Sequence, residues 1–140
     1  MIRYSKLPEN ILSLLPKAFD YLRSRKDLSF AYLFGSMAKG RVLPLSDVDL
    51  AVYLTEDTGL GKRKLEILGK LIECLKTDEI DLVTLNNAPV TLRKRIMENG
   101  KVIVDNNPFL RHQYESLTIR EYFDFSILEK SILKRRFLHG

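Results

Sequence analysis

The chain has no tryptophan, one cysteine (Cys74) and two histidines (His112 and His139) in 140 residues. A lone cysteine closes no internal disulfide, and with two widely separated histidines it makes no Cys/His zinc site. No apolar run approaches the roughly 20 residues of a membrane span, so a bilayer protein is not expected. Residues 1–19 lack the unbroken apolar stretch and small-residue cleavage site of a secretory leader, which predicts a cytoplasmic protein. There is no internal repeat and no low-complexity tract. What remains is ordinary for a globular protein, with 45% apolar and 29% charged residues, and that argues against global disorder. A chain of this length buries roughly 68% of its unfolded surface, enough for one domain spanning 1–140 without staples. Its 23 Lys+Arg against 18 Asp+Glu give a net charge of +5. That favours anionic partners but is too modest to require nucleic acid.

Glycine, proline and asparagine punctuate the chain. Residues 8–25 read as a helix with Ile11, Leu12, Leu15, Phe19 and Leu22 on its apolar face and Pro16 splitting it. Leu28 to Phe34 is apolar on both sides, the pattern of a central strand. Gly35-Ser36 ends it, and a short helical or turn segment follows, closed by Gly40. Alternation in the next strand, 47–54, sets Asp47, Asp49, Ala51 and Tyr53 on one face and Val48, Leu50, Val52 and Leu54 on the other. A helix over 61–76 carries Leu65, Leu68, Leu71, Ile72 and Leu75, and a third strand runs 80–85. Asn87 and Pro89 open a helix that Gly100 ends in a left-handed conformation. A fourth strand, 101–105, precedes a helical tail over 107–138, with a break expected near 123–126. The order predicts an α/β (mixed α+β) domain with a sheet of about four strands packed by helices.

The chemistry lies in Gly35-Ser36, ten residues, then Asp47-Val48-Asp49. With seven glycines, nine serines and nine aspartates in the chain, that joint pattern is expected about 0.002 times by chance. Gly35 permits close backbone approach. Free N–H groups at a helix start, with the Ser36 hydroxyl, suit a phosphate. Lys39 and Arg41 flank this turn, either as phosphate contacts or as solvated loop cations. Two carboxylates two residues apart on one strand face the same way and reach one cation site. Alone they repel each other; a hard ion such as Mg²⁺ relieves that repulsion and shares its shell with substrate phosphates. The combination implies a nucleoside triphosphate.

On these residues the segment FGSMAKGRVLPLSDVDLAVYL resembles the DNA polymerase β-type nucleotidyltransferase superfamily. With IDLVTLNNAP, ENGKVIVD and EYFDF, the chain resembles the minimal nucleotidyltransferase (MNT) antitoxins of HEPN/MNT toxin–antitoxin pairs. The resemblance implies a polymerase β-like fold, ATP as substrate, two Mg²⁺ ions held by Asp47, Asp49 and Asp81, and Gly35 and Ser36 at the triphosphate. It also implies transfer of AMP to a tyrosine of a cognate HEPN ribonuclease toxin, which the antitoxin would bind as a hetero-oligomer. Two other readings stand beside it: an antitoxin acting by binding alone, and a nucleotidyltransferase acting on a small hydroxyl-bearing molecule. Outside the motif, Lys62-Arg63-Lys64 and Arg93-Lys94-Arg95 read as solvated helix charges, with contact to a partner or to RNA as the other reading. Cys74 reads as core, and the aromatics Tyr122, Phe123 and Phe125 read as packing with an exposed portion.

Overall fold

The computed structural model describes residues 10–40 and 47–138, with backbone alone at 137 and 138. The elements run α1 (Ile11–Ser24), β1 (Leu28–Phe34), α2 (Gly35–Ala38), β2 (Val48–Leu54), α3 (Leu60–Leu75), β3 (Ile80–Thr84), a 3-10 turn over Leu85–Asn87, α4 (Val90–Asn99), β4 (Lys101–Asp105) and α5 (Pro108–Leu138). The four strands form one sheet in the order β3-β2-β1-β4. β1 pairs antiparallel with β2 and with β4, while β2 and β3 run parallel, joined through α3.

Strand alternation sorts the sheet into two apolar faces. Val48, Leu50, Val52 and Leu54 of β2 join Leu82 of β3 and the inward residues of α1 and α3 in the larger core. Phe30, Tyr32, Phe34 and Ala51 face the other way, under Ile96 of α4 and Leu110 and Tyr114 of α5. Helices therefore cover both faces. All seven residues of β1 are buried, as its doubly apolar sequence requires. Cys74 packs in the larger core.

Several local expectations are corrected. Pro16 does not split α1, which runs unbroken through it. The bond that Pro16 cannot donate would go to Leu12, which lies on the exposed side of the helix. On α3, Leu65 is exposed and Ile67 is buried, so the inward face is rotated from the expected one. Asn87 sits in the 3-10 turn and does not cap α4, whose N-cap position is Pro89. Asn86 is the residue that ties this turn down: its side chain accepts from Leu54 N at 2.9 Å and donates to Leu54 O at 2.8 Å. Gly100 is extended (φ −89°), not left-handed. It is needed for space, because a Cβ there would strike the Ile96 carbonyl and lie 3.1 Å from that of Leu33. The tail is one 31-residue helix without a break, started by Asn107, whose side chain accepts from Leu110 N at 3.1 Å. No helix among the described residues is long and apolar enough to cross a membrane.

Candidate active site

The parallel pairing of β2 with β3 decides the site. It sets Asp49 directly beside Asp81, while on its other side Asp49 pairs with Phe34 at the end of β1. Both aspartates take the face that carries α4 and α5, because their strand neighbours Val48, Leu50 and Leu82 fill the opposite core. Gly35 follows Phe34 with φ +72°, which only glycine adopts freely. A Cβ at Gly35 would fall onto the Asp49 carboxylate and come within 2.9 Å of its Cγ. The glycine therefore makes room for a carboxylate inside the protein as well as for a ligand.

Phe34, Gly35, Lys39, Asp49, Asp81, Arg95 and Asn99 line one cavity of about 270 Å³. The structure thus brings together four of the residues singled out in the sequence: Gly35, Lys39, Asp49 and Asp81. Ser36 is the second residue of α2, half-buried beside the cavity, in a turn closed by Lys39 N donating to Ser36 O and Gly40 N donating to Met37 O, both at 3.1 Å. Asp47 precedes β2, exposed and close enough for its charge to act on Asp49. Arg41 lies outside the described residues, as do Pro44 and Ser46. Arg95 and Asn99 were not anticipated: a charged run on a helix gives no sign of which member meets a cavity until the helix phase on the sheet is known.

Burial raises the Asp49 carboxyl to about 6, and the charges of Asp81 and Asp47 push the same way against a smaller opposing pull from Arg95. A cation beside the two carboxylates would relieve this repulsion. The donor set suits a hard one, since Mg²⁺ is commonly held by one or two carboxylates together with substrate phosphates. Among the described residues no group of three or more His, Cys, Asp or Glu stands close enough to hold a metal ion unaided. Asp49 and Asp81 form an acidic wall open to a ligand that brings oxygens of its own.

A wider hollow of about 720 Å³ lies at the other end of β2, between Lys26, Asp27, Thr55, Lys62, Arg63 and their neighbours. Its chief cation is already committed. Arg63 donates to the carbonyls of Thr55, Glu56 and Thr58 at 2.9, 2.7 and 2.6 Å and approaches Asp27 at 3.4 Å, so it pins the loop between β2 and α3. The Arg63 expected to be solvated is thus a structural clamp.

Comparison with known proteins bears on the family and the fold. Over 74 residues the chain is 38% identical to the protein adenylyltransferase MntA of Shewanella oneidensis. That match covers 53% of this chain and 52% of MntA, so the chain spans about half the length of the curated relative it matches. A crystal structure of a toxin–antitoxin with AMP-PNP superposes with a TM-score of 0.70 at 24% identity, covering 87% of this chain and 94% of that one. A mutant MntA–HpeT toxin–antitoxin structure gives 0.68 at 26% identity, covering 91% and 97%. The family described as Polymerase beta, Nucleotidyltransferase matches residues 17–109, well over half of the chain and inclusive of the Gly35-Ser36 turn, Asp47, Asp49 and Asp81. The chain belongs to the polymerase β-type nucleotidyltransferase family.

Proposed function

We propose that this protein is a Mg²⁺-dependent adenylyltransferase antitoxin, which transfers AMP from ATP to a tyrosine hydroxyl of a cognate HEPN toxin and so inactivates it. The observation that carries the reading is Asp49 facing Asp81 across the parallel β2–β3 pair with Gly35 against it. The likeness to MntA, named a protein adenylyltransferase, supports the reaction. The AMP-PNP in one structural neighbour and the paired toxin in another support the donor and the acceptor. A cytoplasmic site of action fits ATP as the donor.

In this reading Asp47, Asp49 and Asp81 would hold two Mg²⁺ ions together with oxygens that the nucleotide brings. Such ions, when bound, would supply the positive charge that an in-line displacement at the α-phosphorus needs. The protein supplies the rest. Asp49 and Asp81, fixed by strand pairing, fix where the α-phosphate sits. The Ser36 hydroxyl and the N–H groups opening α2 bind the phosphate tail, and Lys39 adds a positive charge to the same cavity. The tyrosine oxygen attacks the α-phosphorus, the bond to the bridging oxygen breaks, and pyrophosphate leaves with the two electrons of that bond. A carboxylate beside the attacking hydroxyl takes its proton, and Asp81, on the exposed side of the pair, is placed for that.

The test incubates the protein with α-labelled ATP, Mg²⁺ and the cognate toxin. Label is expected on the toxin, and Asp47→Asn with Asp49→Asn is expected to abolish it. Label that persists in the double variant, or a toxin fully inhibited without ATP, would sink the enzymatic reading in favour of inhibition by binding. Label found only on a small hydroxyl compound would sink the protein acceptor.

A further inference from the structure

Arg93, Lys94 and Arg95 are consecutive, and each step along a helix turns the side chain by about 100°. One charged run therefore meets three environments. Arg93 turns inward: it donates to Ala88 O at 3.0 Å and to Thr118 Oγ1 at 3.2 Å and pairs with Glu121 of α5. Lys94 pairs with Glu98 and lies 4.9 Å from the ring centre of Tyr122. Arg95 lines the cavity of Asp49 and Asp81. Its charge acts on Asp49, and its side chain is exposed where it lines the cavity, while Asn99 Nδ2 donates to its backbone carbonyl at 3.3 Å. The backbone beneath it is fixed, because Ile96 is fully buried against the sheet and Gly100 is packed on the Leu33 carbonyl.

An exposed arginine that shares a cavity with two carboxylates can meet a ligand that carries phosphate. The guanidinium is always charged, and its planar fork matches two oxygens of a phosphate. Lys39 enters the same cavity from α2. The space, about 270 Å³, falls just under the roughly 300–1,000 Å³ typical of sites that take a whole drug-sized ligand. It suits a phosphate chain, with the nucleoside outside.

We propose that Arg95 is a substrate-binding residue that grips the polyphosphate of the incoming nucleoside triphosphate from the α4 side of the cavity. It makes the site select a triphosphate over a monophosphate, and it holds the pyrophosphate portion as it departs. This rests on the nucleotide reading of the cavity and adds a residue and a selectivity to it.

The experiment measures binding of AMP-PNP and of AMP, each with Mg²⁺, to wild type, Arg95→Gln, Arg95→Lys and the surface control Arg120→Gln, with melting curves for all four. Loss of a charge-assisted contact predicts AMP-PNP binding weakened about 10- to 100-fold in Arg95→Gln. AMP binding is expected to change less than about twofold on the same grounds, since the contact is to the tail. Arg95→Lys is expected to fall between, because it keeps the charge and loses the fork. Unchanged AMP-PNP affinity in Arg95→Gln would overturn the proposal, and so would equal loss of AMP-PNP and AMP. Wild-type protein that binds neither would overturn the nucleotide site itself and Arg95's role with it, an outcome distinct from the other two.

Discussion

Asp49 holds its charge in an unfavourable place. Half-buried and flanked by Asp81 and Asp47, its carboxyl sits at about 6 against an ordinary 3.8. A carboxyl raised by folding favours the folded state where it is protonated. That contribution is complete below the unfolded value near 4 and is lost as pH rises through about 6. Asp49→Asn keeps the shape and removes the charge. Without divalent cations, the variant is expected to melt higher than wild type at pH 7.5, with the gap closing towards pH 4; with Mg²⁺ present it is expected to lack the proposed transferase activity. Calorimetry at the two pH values checks this, and a lower melting point at pH 7.5 would contradict it. The Gly35, Asp47 and Asp49 pattern was legible in the chain because a strand's two-residue period is a local property. Arg95 was not, because its direction depends on where Ile96 anchors α4, and that is a contact between segments far apart in sequence.

The last two helices differ in what they contribute. Leu92, Ile96 and Met97 of α4 sit in the second core with Leu110 and Tyr114 of α5, and Arg93 bonds across to Thr118 and Glu121. Beyond Tyr122 the described side chains of α5 are exposed apart from Ser126, with Phe123, Ile127, Leu128, Ile132 and Leu133 among them. Truncation after Ser126 is accordingly expected to leave the urea midpoint unchanged. Arg93→Ala, which strands Glu121 and Thr118, is expected to cost about 1–3 kcal/mol in the same assay. A destabilised truncation would reveal packing that this exposure denies. The helix itself was readable from its opening at Asn107-Pro108. The break expected at 123–126 was not real: no glycine or proline lies between Pro108 and Gly140, so nothing in the backbone chemistry stops the helix. Pro16 misled in the opposite sense, since one missing bond near the solvent side is tolerated by a helix anchored through Ile11, Leu15, Ala18 and Leu22.

At the scale of the molecule, the alternation of helices and strands foretold a layered fold with four strands. The order β3-β2-β1-β4 was beyond it, because pairings such as Asp49 with Asp81 join residues some thirty positions apart, and a strand's own sequence does not name its neighbour. That pairing has a further consequence. Asp49 lies on one of the two inner strands, bonded on both sides, so the seat proposed for the nucleotide cannot open without parting the sheet. Ligand and cooperative unfolding are then linked: at a hundredfold excess over Kd, occupancy adds about 2.7 kcal/mol to the opening of every amide that exchanges only through global unfolding. Hydrogen–deuterium exchange should slow about 100-fold along β1 and β2 alike on adding AMP-PNP and Mg²⁺. Amides in the outer half of α5 should keep their pace.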